Sequence, residues 1–468
     1  MSLFGTSGVR GPVGETVTAE LALSIGRAVA TDADRVVVGR DVRESGEMLA
    51  SALQAGLRAC GSDVVDVGVA STPTIARSVG WCEADVGISI TASHNPAPDN
   101  GLKLWSASGR AFDREALAEI ERRIEDGEFD RAAWDGLGTF EEWAGAIDRH
   151  VEAIVDAVSV GGDRGDGTSV AERGTIANRG PMAEAPSVIV DVGSGTGGVT
   201  VRALRELGCR VETLNADPDG RFPARPSEPT ADSCETLCRV VAATDAQLGI
   251  AHDGDADRMM AVDETGEFLA GDVLLALFGR AAAGDGESIA APVNTSLAVD
   301  DALEAHGAAV TRTRVGDGFV AERATEPGVV FGGEPSGAWI WPDESRCPDG
   351  PLAACRLAAL VARDGPLSEQ ASSIPEYPIR RTAIEVEPSA KPAVVERVAA
   401  AVADGAGPSP VDAVDDRDGL RVDCGDAWYL IRPSGTQPLV RVTAQAREAE
   451  RADAVFAAAS ELVERQRG

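Results

Sequence analysis

The stretch Ser187-Val188-Ile189-Val190-Asp191-Val192-Gly193-Ser194-Gly195-Thr196-Gly197-Gly198 decides how the rest of the chain is read. Its apolar, β-branched run fits a buried strand, and the glycines after it end that strand in a tight turn. A helical pattern starts at about Val199, and the glycines are read as close packing or turns. They lack the Gly-Lys-Ser/Thr ending of a nucleotide-binding loop. The strand scheme recurs at 246–251 and 288–293. Upstream, 35–39, 63–68 and 84–90 read as strands and 46–60 as an amphipathic helix. Such alternation predicts α/β layers with parallel or mixed sheets, and site residues in loops at strand ends.

Three similar α/β units are therefore strung together. Beyond Pro375–Pro378 the order changes to strand, helix (392–403), two short strands (419–424 and 427–431), a loop, a strand (439–444) and a final helix. That is an α+β unit of roughly ninety residues, an ordinary domain size. The expected divisions are 1–158, a flexible glycine-rich insertion or linker over 159–186, then 187–258, 259–373 and 374–468.

Composition excludes several classes of function. Net charge is −33, with 76 acidic against 43 basic side chains, which rules against nucleic acid or an anionic membrane as partner. No run of about 18 apolar residues predicts a membrane span. The N-terminus lacks a signal peptide's charged and apolar regions, so a cytoplasmic protein is expected. The chain holds only two lysines, Lys103 and Lys391. Scarce lysine with a large acidic excess points to a salt-rich, halophilic setting, where a Debye length of about 3 Å at molar salt screens the carboxylates from one another. The 8 cysteines show no zinc-type spacing, so reduced, mostly buried thiols are expected.

Four loops carry chemistry. In Asp253-Gly254-Asp255-Ala256-Asp257-Arg258, three alternate carboxylates can converge on one hard cation. Magnesium keeps few protein oxygens and is completed by a phosphate oxygen, while Arg258 can hold an anion. Ser93, in Thr91-Ala92-Ser93-His94-Asn95-Pro96, follows an apolar strand and is a candidate phosphoserine beside an acidic metal loop. Hydrolases would place such a serine in a Gly-x-Ser-x-Gly elbow, which is absent. Lys103 follows in the same segment; unlike arginine, a lysine can be tuned to give and take a proton. Arg432-Pro433-Ser434-Gly435-Thr436-Gln437-Pro438 offers a cation, hydroxyls and exposed amides to a phosphate. Gly332-Gly333-Glu334-Pro335-Ser336-Gly337 offers a carboxylate and a hydroxyl to a sugar. Lys391, in the C-terminal unit, has no comparable claim.

With the opening Phe4-Gly5-Thr6-Ser7-Gly8-Val9-Arg10-Gly11 and Gly39-Arg40-Asp41-Val42-Arg43-Glu44-Ser45-Gly46, these loops in this order resemble the α-D-phosphohexomutase superfamily over nearly the whole chain. The opening and the Glu-Pro-Ser-Gly loop look most like archaeal phosphoglucosamine mutases. The resemblance implies four domains around a central cleft: three related α/β domains with mixed sheets and a C-terminal α+β domain. It implies Ser93 as the phosphoserine, and one Mg2+ held by Asp253, Asp255, Asp257 and a phosphate oxygen on Ser93. Arg10, Lys103 and His94 would serve the transfer. Glu334, Ser336, Arg258, Arg432, Ser434, Gly435, Thr436 and Arg441 would bind a sugar phosphate. The expected reaction is phosphate migration between the 6- and 1-positions of glucosamine, or of glucose or mannose, through a 1,6-bisphosphate, in a monomer or homodimer. A phosphosugar phosphatase and a non-catalytic binder are the competing readings.

Overall fold

A computed structural model of the chain describes residues 3–5, 8–127, 129–160, 182, 184–434 and 437–467. The expected insertion at 159–186 therefore lies mostly outside the described residues.

One topology repeats three times. In the second unit Ser187–Asp191 pairs in parallel with Arg210–Leu214 on one side and with Leu248–His252 on the other. A hairpin then adds Met259–Asp263 antiparallel to Leu248–His252. The third unit repeats this with Ser288–Pro292, Ala309–Thr313, Val329–Glu334 and the antiparallel Ala338–Ile340. The first unit repeats it with Arg35–Arg40, Asp63–Val69, Val86–Ile90 and the antiparallel Asp99–Ser106. It also gains two edge strands, Val9–Pro12 and Phe140–Glu142. Alternate residues of each first strand enter different cores. Val36 and Val38 pack into one cluster and Val37 into another, and Val188 and Val190 are likewise separated from Ile189. Both faces are thus covered by apolar layers, which explains why these strands read as continuous apolar runs.

The repeat places the site. In every unit the turn between the third and fourth strands falls at the same topological point. Those turns carry Ser93, the three aspartates, and Pro335–Ser336.

The expected boundary at 258 falls inside a hairpin, because Met259–Asp263 completes the second sheet. Its apolar residues read equally well as the start of a new unit, and only the non-local pairing decides. Helix Ala146–Val160, expected in the first unit, sends Val151, Ile154 and Ala157 into a core shared by the second and third units. Inside this seam, buried His150 joins Thr74 Oγ1 (2.7 Å) to Asp349 Oδ2 (3.1 Å), and Arg77 Nε donates to the same Asp349 oxygen at 2.8 Å.

The C-terminal unit is a five-stranded sheet ordered Ile379–Glu385, Leu439–Ala446, Ala427–Pro433, Leu420–Asp423 and Ala413–Asp415. All its pairings are antiparallel. Helices Lys391–Ala403 and Ala449–Gln466 cover it. It docks on the third unit, where Arg421 Nη1 donates to Val293 O at 2.6 Å and Leu297 N donates to Gln445 Oε1 at 2.9 Å. The eight cysteines are free thiols. Among the described residues no helix is long and apolar enough to cross a membrane.

Candidate active site

Ser93 is the third residue beyond the end of Val86–Ile90, buried, with φ of 51°. A left-handed conformation at a residue with a Cβ costs about 1–2 kcal/mol and persists only where neighbours fix it. Here the Ser93 amide donates to Thr91 Oγ1 at 2.8 Å. Its carbonyl accepts from Arg43 Nη2 and from Ser227 Oγ, each at 2.9 Å. Arg43 is fully buried, paired with Asp41, and also donates to the carbonyls of Asn95, Pro96 and Asp99. Its guanidinium lies 5.0 Å from the centre of the Phe222 ring. The strained turn is therefore gripped from beneath, and Oγ is aimed at the second unit.

There Ser93 Oγ donates to Asp253 Oδ2 at 2.7 Å and lies 3.3 Å from Asp257 Oδ1. Gly254 allows this approach, since a Cβ on it would stand 2.9 Å from Ser227 Oγ and 3.0 Å from Ser93 O. Gly195, in the turn that follows Ser187–Asp191, is held to a glycine in the same way. Its Cβ would lie 2.5 Å from Gly254 O.

Asp253, Asp255 and Asp257 are buried, with carboxylate oxygens within 4.8 Å of one another. Burial first, then the charges of Asp257 and Asp255, push the Asp253 carboxyl well above its usual range. Burial acts the same way on Asp255, but Lys103, Thr72 and Arg10 outweigh it and hold that carboxyl below the usual range. Three such groups packed together call for a cation. Asp255 Oδ1 is buried with no hydrogen-bond partner, and the donor set is all oxygen. The residues fit a hard divalent ion such as Mg2+.

Lys103 sits within the strand Asp99–Ser106, its side chain 3% exposed, and its ammonium donates to Asp255 Oδ2 at 2.9 Å and Asp257 Oδ2 at 2.5 Å. Burial alone would lower its pKa, but Asp255 and Asp257 more than reverse this and raise it. His94 Nδ1 is 3.4 Å from Ser93 Oγ. Burial, then Arg258 and Arg10, push this imidazole down to about 3, so it is neutral. Arg10, in the neighbouring strand Val9–Pro12, has a buried Nε with no hydrogen-bond partner.

The sugar-type loop meets the metal loop directly. Met259 N donates to Gly337 O at 3.0 Å, and Arg258 bridges to Ala338. Glu334 is buried; it accepts from Gly316 N at 2.7 Å and from Ser336 Oγ at 3.2 Å. Burial, then Asp317, raise its pKa. Arg258 reaches Glu228 at 3.3 Å, and its amide donates to Asp253 Oδ1 at 3.1 Å.

The phosphate-type loop stands apart. Arg432 and Arg441 are direct cross-strand partners. Like charges so placed repel, and an anion between them would relieve the repulsion. Arg432 Nε is 2.9 Å from Asp418 Oδ2 without a hydrogen-bonding alignment, and Val315 N donates to the same oxygen at 3.0 Å. Arg441 Nη2 donates to Gln437 Oε1 at 3.3 Å. Ser434 N donates to Leu439 O at 2.9 Å, while Ser434 Oγ accepts from Gln437 N at 3.2 Å. Gly435 and Thr436 lie outside the described residues. Among the described residues no hydrogen bond joins this loop to the Ser93 or aspartate loops.

Sequence reasoning missed the residues that hold these loops. Thr72 donates from its amide to Asp255 O and from Oγ1 to Asp255 Oδ2, the latter at 2.6 Å. It starts the helix Thr72–Trp81, so the first amide of that helix is spent on the Asp255 backbone. The Ser71-Thr72-Pro73 start signal was readable as a helix cap, but not its target. Arg43 stands in a quoted motif without an assigned task. Ser227 carries no local signal. Lys391, given no claim on a site, donates to the carbonyls of Ser434 and Gln437.

Four family descriptions match this chain in order. They are phosphoglucomutase/phosphomannomutase α/β/α domain I over residues 1–131, domain II over 176–266, domain III over 270–377 and the C-terminal domain over 382–462. A probable phosphoglucosamine mutase of Methanosarcina acetivorans is 43% identical over 99% of this chain and 99% of its own length. One from Methanopyrus kandleri is 44% identical over 96% of this chain and 95% of its own. A phosphoglucomutase/phosphomannomutase family protein of Burkholderia thailandensis has a crystal structure that superposes with a TM-score of 0.85 at 27% identity, covering 99% of this chain and 97% of that one.

Proposed function

We propose that this chain, which belongs to the phosphoglucomutase/phosphomannomutase family of α-D-phosphohexomutases, is an isomerase that interconverts glucosamine 6-phosphate and glucosamine 1-phosphate. The observation that carries the chemistry is the 2.7 Å hydrogen bond from Ser93 Oγ to Asp253 Oδ2, which sets a buried hydroxyl against an oxygen cage. The choice of sugar rests on the relatives named probable phosphoglucosamine mutase, which match over nearly their full lengths.

In this reading Ser93 Oγ carries a phosphoryl group. The bond from Ser93 Oγ to phosphorus breaks as the free hydroxyl oxygen of the bound sugar phosphate takes the group; the hydroxyl proton ends on the freed Ser93 Oγ, and a 1,6-bisphosphate results. The sugar then turns over, and Ser93 Oγ recovers a phosphoryl group from the other position. Asp253, Asp255 and Asp257 would hold Mg2+, which would supply positive charge to the transferring oxygens. Lys103, Arg10 and Arg258 add fixed cations around the same point. Lys103 is pinned as an ammonium by two carboxylates, which leaves His94 as the neutral nitrogen nearest Oγ. Glu334 and Ser336 would read sugar hydroxyls, while Arg432, Ser434, Gly435, Thr436 and Arg441 grip the phosphate that stays. Rates measured side by side test the sugar. We expect kcat/KM for glucosamine 1-phosphate to exceed that for glucose and mannose 1-phosphates by at least about tenfold. Equal or reversed rates would overturn the glucosamine assignment and leave a mutase of broader specificity.

The acidic excess belongs to this reading as an adaptation to salt. The midpoint of thermal unfolding should rise by more than about 10 °C between dilute buffer and molar potassium chloride. A midpoint indifferent to salt would remove the halophilic interpretation.

A further inference from the structure

Lys391 opens the helix Lys391–Ala403 of the C-terminal unit. A cation at a helix start opposes the helix dipole, so the helix itself gives no reason for it. Its ammonium instead reaches out of the helix. It donates to Ser434 O and, at 2.9 Å, to Gln437 O, the carbonyls flanking the turn between Ala427–Pro433 and Leu439–Ala446. The Gln437 amide and Ser434 Oγ close the same turn at 3.2 Å. A compact ammonium has three donors and can bridge two carbonyls at once. A guanidinium fans its donors in one plane.

We propose that Lys391 is a positioning residue for phosphate binding: its ammonium ties the Ser434 and Gln437 carbonyl oxygens to itself and takes up their partial negative charge, so that neither is turned toward an anion held by Arg432 and Arg441. The proposal rests on the reading of Arg432, Ser434 and Arg441 as the grip on the phosphate that stays. Under it, the chain's two lysines serve opposite phosphates, Lys103 where the group is transferred and Lys391 where the substrate is held.

Three variants test it with glucosamine 1-phosphate as substrate. Lys391→Met keeps the stem and removes the charge; we expect KM to rise about tenfold while kcat stays within about threefold, since only binding is affected. Lys391→Arg, which restores charge with poorer geometry, is expected to bring KM back to within about threefold of the unaltered enzyme. Arg432→Ala tests the loop itself and is expected to raise KM by at least about tenfold. A Lys391→Met KM within twofold of the unaltered value, beside a raised Arg432→Ala KM, overturns the role of Lys391 alone. A fall in kcat without a change in KM overturns it as well. If Arg432→Ala also leaves KM unchanged, the phosphate-loop reading fails with it.

Discussion

Replacing Ser93 with alanine leaves a folded protein that binds sugar phosphate and does not turn it over. Ser93 Oγ is the hydroxyl aimed into the aspartate cage, at 2.7 Å from Asp253 and 3.3 Å from Asp257. Removing it deletes the atom that would carry the phosphoryl group, and such losses are not graded. Turnover should fall by more than about 10⁴-fold, as for other covalent nucleophiles. Folding should suffer far less. Arg43, Ser227 and Thr91 hold the turn through Ser93 backbone atoms, which alanine keeps. The lost hydrogen bond to Asp253 is worth about 1 kcal/mol. Titration calorimetry with glucosamine 1-phosphate should show binding within about fivefold of the unaltered protein. Intact mass should show one phosphate on the unaltered chain and none on Ser93→Ala. Retention of even about 1% of the rate would sink the phosphoserine scheme, because no second nucleophile is proposed. Release of inorganic phosphate as the main product of the unaltered enzyme would instead favour a phosphatase.

How much of this was legible in the sequence depends on how local each signal is. Strands such as Ser187–Asp191 and Leu248–His252 were readable because burial on both faces forces a continuous apolar run. The aspartate and serine turns were readable because their residue types concentrate chemistry within six positions. The strand Asp99–Ser106 was partly hidden: it opens Asp-Asn-Gly, residues that mark a turn by composition, yet Lys103 is buried against the aspartate cage and Asn100 is buried with its amide on Ser45 Oγ. The unit boundary at 258 failed for a related reason, since hairpin membership is set by the partner strand. Arg43, Ser227 and Lys391 escaped because they act on backbone carbonyls, and a carbonyl bears no mark of the side chain that will bind it. The coincidence of three turns at one topological point was likewise invisible until the three sheets were seen to share a strand order.

Lys103 should prove intolerant of both removal and enlargement. Lys103→Met leaves Asp255 Oδ2 and Asp257 Oδ2, at 2.9 and 2.5 Å from the present ammonium, buried without their cation. Removing one partner of a buried pair typically costs about 3–5 kcal/mol, far more than an exposed pair. Without added metal, the unfolding midpoint should therefore drop sharply. Added magnesium should recover more stability in Lys103→Met than in the unaltered protein, because a divalent ion at the same carboxylates replaces the missing charge. Turnover should fall by about 10²–10³-fold through loss of a fixed cation at the transferring group. Lys103→Arg keeps the charge but forces a longer, planar group into a slot where the present side chain is 3% exposed. Overpacking of that kind costs about 1–3 kcal/mol, and the fork cannot take the place of a point charge between two carboxylates. We expect Lys103→Arg to retain more stability than Lys103→Met while staying at least about tenfold below the unaltered rate. A Lys103→Arg enzyme at full rate would reduce this lysine to a source of charge whose position is immaterial. Wild-type stability in Lys103→Met without metal would show that the aspartates need no cation, and would undo the reading of the cage itself.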